Sequence, residues 1–438
     1  MTGFEIGIAM FVGALLLIGL RMPVGPAMLL VGGLGYAAIA GWSPLLASLK
    51  TLTFSRFSSY TLSVIPLFLL MGDFATKGGL NRALFRAARA WMGHWRGGLA
   101  VATVGGCAAF GAICGSSLAT AATMSQVAGP EMRRHGYSAA LSTGTLAAGG
   151  TLGILIPPSV ILVIYAIYTE QSIGVLFVAA VIPGLIATAG YMLVVNLYAR
   201  LHPRSAPPAE RLPYAERFRA TAEVWPVLLV FILVVTGIYA GWFSATEGAA
   251  VGAAATFVIA VGLGGMRWPG LKEALLSTAE TTGLIFLVLL GAELFSAALA
   301  LSRVPAELSA AVAGMDLPPL VVLGAILVIY FILGCFMESM AMVLLTLPIF
   351  VPLMLGLDFG LNPQQVLVWF GILVLVSVEV GMISPPFGMN LFVINAMAKD
   401  VPMGETYRGV AGFVVSDVVR IALLTLLPWL SLWLPGLW

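Results

Sequence analysis

The chain has 438 residues, of which 60% are hydrophobic and 9% charged, with a formal net charge of +2 and a mean hydropathy of +1.04. A soluble domain carries roughly a quarter of its residues as charges, so this composition excludes one and points to a polytopic membrane protein. So small a charge, spread over short loops, also argues against nucleic acid as a partner.

Apolar runs at 6–20, 23–40 and 60–75 each approach the roughly 20 residues needed to cross a bilayer. The first follows Glu5 rather than a basic stretch and runs into Arg21-Met22-Pro23, so it reads as a membrane helix and not a secretion signal. From Lys77 to Arg96, Leu80, Leu84, Ala87, Ala88, Trp91 and Trp95 recur at helical spacing against Arg82, Arg86 and Arg89, the pattern of an amphipathic interfacial helix. Only 36 residues separate Arg96 from Arg133, too few for two crossings, while one crossing would put these arginines on opposite faces. The spacing predicts a re-entrant hairpin at about 99–130, with its tip at Gly115-Ser116-Ser117 and its return helix ending near Gly129-Pro130.

A broken helix at about 138–169 follows, interrupted by Gly153-Ile154-Leu155-Ile156-Pro157-Pro158-Ser159. Proline lacks the N–H and clashes with the carbonyl one turn back, so Pro-Pro after glycine breaks a helix and strands carbonyls. In lipid such carbonyls are tolerated only where protein buries them or where they line a cavity, and paired broken helices mark the midplane site of a carrier. Gly381-Met382-Ile383-Ser384-Pro385-Pro386 is the twin, 228 residues later (157 to 385).

After a span at 175–199, the stretch 200–222 carries Pro203, Pro207, Pro208 and Pro213 with five arginines and reads as a cytoplasmic linker. The second half repeats the plan: spans at 224–242, 245–265 and 278–301, an interfacial segment at 303–316, a hairpin at about 320–352, a broken helix at about 366–398 and a last span at 409–430. Offset by 222, Ser339 falls on Ser117 and Pro352 on Pro130. The expected architecture is all-α: residues 1–199 and 223–438 form two inverted-topology repeats, each with a re-entrant helical hairpin and a Pro-Pro-broken transmembrane helix. Placing the linker in the cytoplasm puts 17 of the 21 basic residues inside and only Lys50, Arg56 and Arg303 outside, as the positive-inside rule asks. Arg420 lies within a span, three residues after Asp417, as its expected partner. Five crossings per half leave both termini outside. Cys107, Cys114 and Cys335 sit in apolar runs without metal-ligand spacing and read as small buried side chains.

The motifs Gly-Ser-Ser-x-Ala-Thr, Gly-Pro-x-Met, Leu-Gly-x-Leu-Ile-Pro-Pro-Ser and Pro-Pro-x-Gly-x-Asn-Leu-Phe resemble those of the large membrane (permease) subunit of TRAP (tripartite ATP-independent periplasmic) transporters, with Ser384 where threonine is expected. The resemblance covers essentially the whole chain. It implies Na⁺-coupled uptake of an organic acid across a bacterial inner membrane, a periplasmic substrate-binding protein and a small membrane subunit as partners, and no cofactor beyond Na⁺ as coupling ion.

Na⁺ prefers oxygen ligands. Carbonyls of Gly153, Ile156 and Pro158 with hydroxyls of Ser116 and Ser117 make one candidate cage; Gly381, Ser384 and Pro386 with Ser339 make the second. Small and hydroxylated residues also simply permit close helix packing, but recurrence of the set in both halves favours function. Ser116, Ser159, Glu338, Arg303 and Asn390 are candidates for the substrate. Glu338, an acid inside the membrane, could neutralise Na⁺, accept from substrate or pair with Arg303. Asp73, Glu247, Glu293 and Glu379 read as partners inside the bundle.

An intramembrane hydrolase built on Ser116 would need a base, and His94, His135 and His202 all fall in cytoplasmic loops or interfacial helices. No Gly-x-x-x-x-Gly-Lys-Ser/Thr motif is present for an ATP-driven pump. A stand-alone Na⁺- or H⁺-coupled anion carrier on a related plan is the alternative.

Overall fold

The computed structural model describes residues 2–437 and is helical throughout, with no strand among the described residues. In the first half, α1 (Gly3–Gly19), α2 (Val24–Ala40), α3 (Trp42–Phe57), α4 (Val64–Lys77) and α5 (Leu80–Met92) precede the hairpin α6 (Gly98–Cys114) and α7 (Ser117–Arg134). The first broken helix is α8 (Ala139–Leu155) with α9 (Val160–Tyr168), bent by 42°, and α10 (Ile173–Leu201) closes the half. The second half contains α11 (Tyr214–Ala222), α12 (Trp225–Tyr239), α13 (Ala245–Gly262), α14 (Trp268–Ser302) and α15 (Val304–Ala313). The hairpin α16 (Pro319–Gly334) and α17 (Ser339–Leu355), the broken pair α18 (Pro363–Met382) and α19 (Met389–Met397), and α20 (Met403–Leu426) complete it.

Five helices, α10, α13, α14, α18 and α20, are long and apolar enough to cross a membrane, and bent pairs bring the number to eight. The other two segments expected to cross, 6–20 and 23–40, form α1 and α2, apolar helices of 17 residues each that fall short of that length. Three expectations are corrected. Residues 42–57, left between two spans, form α3, which bends by 55° into the next span. α14 begins ten residues before the expected 278. α7 does not stop at Pro130 but runs through it to Arg134, just as α17 runs through Pro348 and Pro352; a single proline removes one bond, and packing on both sides keeps the helix going.

The helices pair across the halves. α2 packs along α14 and α4 along α13, while α8 packs on α20 and α10 on α18. α19 lies on α7 of the first hairpin and α9 on α17 of the second, so each fragment beyond a break packs on the hairpin of the other half.

The expected interfacial helix is α5, whose Leu80, Ala83, Leu84 and Phe85 are buried against the first hairpin rather than in lipid. The linker is no loose connector either. Trp91 donates to Thr221 Oγ1 at 2.7 Å and meets Phe218 edge-on at 5.5 Å, Arg86 pairs with Glu223 at 2.9 Å, and backbone bonds Ala209 to Gly93 and Gly97 to Ala206 strap the linker to the base of α6. His94, within this strap, is held below the usual histidine range by its partial burial and by the charges of Arg217 and Arg211.

Candidate functional site

Pro157 and Pro158 remove the N–H groups that would bond the carbonyls of Gly153 and Ile154, and Ile156 is already extended at φ −91°, ψ 123°. The helix restarts at Ser159, a fully buried N-cap that accepts from Leu162 N. The first tip is fitted to this break by glycine. Gly115 (φ +64°) turns the chain so closely that a Cβ there would lie 3.0 Å from the Pro158 carbonyl oxygen. A Cβ on Gly153 would lie against Thr120 Oγ1 and 2.7 Å from the Ser116 carbonyl oxygen, and one on Gly111 would meet the Gly153 Cα. Gly153, the Ser116 carbonyl and Thr120 therefore converge, and Thr120 Oγ1 is buried without a hydrogen-bond partner. Ser116 caps α7 through Ala119 N at 3.4 Å. Thr120 belongs to the Gly-Ser-Ser-x-Ala-Thr motif, but its position on the tip helix could not be ranked from sequence.

The second tip repeats the fit. A Cβ on Gly381 would lie 2.6 Å from Gly334, Gly388 N donates to the Cys335 carbonyl at 3.2 Å, and Cys335 Sγ lies 3.6 Å from the Pro385 carbonyl oxygen. Here several candidate oxygens are already engaged. The Gly381 carbonyl accepts from Ser384 N, Ser384 Oγ donates to the Val380 carbonyl at 2.6 Å, and the Pro386 carbonyl accepts from Tyr407 at 2.5 Å. Buried Glu379 offers Oε1 to Ser339 Oγ at 3.4 Å and leaves Oε2 without a partner.

The two tips meet. Ser117 Oγ lies 3.7 Å from Met382 Sδ, and Ser339 Oγ touches the same sulfur, so a residue of the second break stands between the hydroxyls of both hairpins. Asn390 is fully buried; its Nδ2 donates to the Ala147 carbonyl of α8 at 3.2 Å, whereas its Oδ1 has no partner. Thr145 Oγ1 and Ser377 Oγ, on the two broken helices, are likewise buried and unpartnered. Unsatisfied buried polar atoms are costly and rare; Thr120 at the first tip and Glu379 and Asn390 on either side of the second break are ones that a desolvated ion or polar ligand would satisfy.

Glu338 does not pair with Arg303. It caps α17, accepting from Met340 N at 3.1 Å and Ala341 N at 3.2 Å. Arg303 is exposed and borders a cavity with Pro348, Val351 and Pro352, residues at least ten positions further along α17 than Glu338, about 15 Å at the helical rise. Of the other acids, Asp73 accepts from Thr278 at 2.8 Å, Glu293 pairs with Arg56, and Glu247 completes a capping box with Ser244 at the exposed start of α13 rather than facing the bundle interior. Behind the first break, Thr151 bonds Tyr191 at 3.0 Å, Tyr191 donates to Asp417 at 2.7 Å, and Asp417 pairs with Arg420 at 2.8 Å, all buried. The Asp417–Arg420 pair is the one expected from sequence. The three cysteines are buried and free.

Residues 11–430 match the family described as tripartite ATP-independent periplasmic transporter, DctM component. The chain is 37% identical over 390 residues to the C4-dicarboxylate TRAP transporter large permease protein DctM of Pseudomonas aeruginosa, with 89% of each protein covered. It is 32% identical to the sialic acid TRAP transporter large permease protein SiaM of Vibrio cholerae (86% of this chain, 87% of that protein) and 33% identical to the ectoine TRAP transporter large permease protein TeaC of Halomonas elongata (86% of each). Among solved structures, the YdaH transporter of Alcanivorax borkumensis shares the fold at a TM-score of 0.64 and 14% identity, covering 91% of this chain and 90% of that one.

Proposed function

Because the chain belongs to the DctM-component family of tripartite ATP-independent periplasmic transporters, we propose that it is the membrane subunit that moves a small carboxylate across a bacterial inner membrane, coupled to Na⁺. A periplasmic substrate-binding protein delivers the carboxylate, and a small membrane subunit completes the carrier. Relatives named for a C4-dicarboxylate, sialic acid and ectoine support a small solute bearing a carboxylate. The observation that carries the reading is the pair of matched tip-and-break contacts meeting at Met382 with unpartnered buried oxygens around them. At the first break Na⁺ would be held by the carbonyls of Gly153, Ile156, Pro158 and Ser116 with the hydroxyls of Ser116, Ser117 and Thr120. At the second it would be held by Ser339, Ser384, Glu379 and the carbonyls of Gly381, Met382 and Pro386, the last after release by Tyr407. Ser159 Oγ–H is suited to donate to the substrate's carboxylate, and Asn390 Oδ1, an acceptor, to take a hydroxyl or ammonium hydrogen from it.

Ions bound at both tips order the hairpins and complete the substrate site between them, so Na⁺ and substrate each tighten the other by the same factor. The halves are inverted repeats about the 200–222 linker, with both termini periplasmic. Transport moves the hairpins and broken helices as one body against the remaining helices. The test is initial uptake of a C4-dicarboxylate into proteoliposomes holding this chain, its small subunit and its binding protein, against Na⁺ concentration at fixed pH and potential. A Hill coefficient above one is expected. Full uptake in Na⁺-free buffer on a proton gradient overturns the Na⁺ assignment, and uptake by this chain alone, unchanged by its partners, identifies a stand-alone carrier.

A further inference from the structure

Polar side-chain contacts divide the helices into two groups. α3, α4 and α14 are tied together by the Arg56–Glu293 and Lys77–Glu273 pairs and by Thr278 to Asp73, with α2 packed along α14 and α13 along α4. The hairpins, the broken helices, α10 and α20 are tied by Asn390 to the Ala147 carbonyl, Tyr165 to the Leu367 carbonyl at 2.6 Å, Trp369 to the Leu424 carbonyl at 2.9 Å, and Tyr191 to Asp417. Where the groups face each other the contacts are small or apolar. A Cβ on Gly72 of α4 would lie 3.1 Å from the Cys114 Cα, and Phe68 of α4 meets Phe177 of α10 edge-on at 6.2 Å. Such surfaces set no fixed register, because burial and dispersion are non-directional.

Tyr168 and Ser296 break this pattern. The hydroxyl at the last residue of α9 lies 2.9 Å from Ser296 Oγ on α14, joining side chains of the two groups. The contact borders a cleft of about 440 Å³ between α14–α15 and α17. A hydrogen bond requires a distance and an angle, so a relative slide of about 1 Å is enough to lose it. We infer that Tyr168 and Ser296 form a latch that fixes the register of the two groups and opens when one moves against the other. Its role in transport rests on the function proposed above. Its existence as a lock does not, and the two are tested separately.

Cys114 is the probe, since it lies at the seam against Gly72 and is only 7% exposed. Alkylation by a membrane-permeant maleimide, quantified at each cysteine by mass spectrometry in the full chain, reads how often the seam opens. Cys107, fully buried inside the same hairpin, reports that the hairpin stays folded. Loss of one neutral hydrogen bond shifts a two-state balance by about fivefold, so Tyr168→Phe and Ser296→Ala should each raise the Cys114 rate by about that factor. The double variant should go no further, and Ser296→Thr should restore the slow rate. Either single variant reacting at the wild-type rate overturns the latch, as does a double variant whose effect multiplies to about 25-fold. Na⁺-independent uptake overturns the coupling reading and leaves these rates untouched.

Discussion

Replacing Gly153 by alanine separates the fold from the ion site more cleanly than removing any hydroxyl. The new methyl group would sit 2.7 Å from the Ser116 carbonyl oxygen and press on Thr120 Oγ1, whereas ordinary contact begins near 3.4 Å. The tip must retreat by several tenths of an ångström, and such overpacking costs about 1–3 kcal/mol. Alanine in a helix interior gives back about 1 kcal/mol relative to glycine, so folding should change little. The proposed Na⁺ site requires tip and break to be in register and would carry the displacement directly, so its affinity should fall about 5- to 150-fold. Gly381→Ala, whose Cβ would lie 2.6 Å from Gly334, should do the same at the second break, while Gly404→Ala, with nothing within 4 Å, is the control. The assay is Na⁺-dependent intrinsic fluorescence of the purified protein, paired with its thermal midpoint. An unchanged Na⁺ half-saturation in Gly153→Ala at an unchanged midpoint would refute the placement of an ion at this contact.

Asp417→Asn removes one partner of a buried ion pair and should lower stability by about 3–5 kcal/mol, read as a fall in thermal midpoint, because Arg420 is left buried with its Nε and Nη1 already unpartnered. Trp91→Ala removes the bond to Thr221 and the edge contact with Phe218, and should loosen the linker strap by about 2 kcal/mol, read as faster amide exchange over residues 206–222 with α8 and α18 unchanged. His94 is held below its usual value in the folded strap, so its contribution to strap stability is complete above the unfolded value of about 6.5 and is lost as pH falls through it toward the lower folded value. Exchange over 206–222, corrected for intrinsic rates, should therefore rise below about pH 6.5, and His94→Gln should abolish the rise.

The breaks were legible because proline acts locally: two missing N–H groups strand the carbonyls of Gly153 and Ile154 whatever lies around them. The hairpins were legible because charge and length cannot both be met by a crossing between Arg96 and Arg133. Partner choice was not legible. Glu338 and Arg303 have opposite charges in neighbouring segments, yet the cap of α17 takes the carboxylate and the helix carries it about 15 Å from the arginine. Nor could spacing tell that α7 would run on through Pro130, since the one bond a single proline removes is made good by packing that the sequence does not display.

The twin breaks are less alike in space than in sequence, and the difference bears on mechanism. Pro157, Pro158 and Ser159 are buried and Thr120 waits without a partner, whereas Pro385, Pro386 and Phe387 are exposed and the Pro386 carbonyl is held by Tyr407. Phe336 and Phe392 flank Phe387 at 5.2 and 6.2 Å and are about half exposed. On the proposed ligand sets, an ion at the second break must displace the Tyr407 hydroxyl from a carbonyl, while one at the first displaces only the long contact of Ser117 with Met382 Sδ. The first site should therefore fill at lower Na⁺ concentration. Tyr407→Phe frees the Pro386 carbonyl without adding bulk, so it should strengthen the second Na⁺ by about fivefold, the worth of one hydrogen bond, and draw the two half-saturations together. Isothermal titration with Na⁺ measures both. A variant in which the weaker affinity stays at its wild-type value would show that this carbonyl does not ligate the ion.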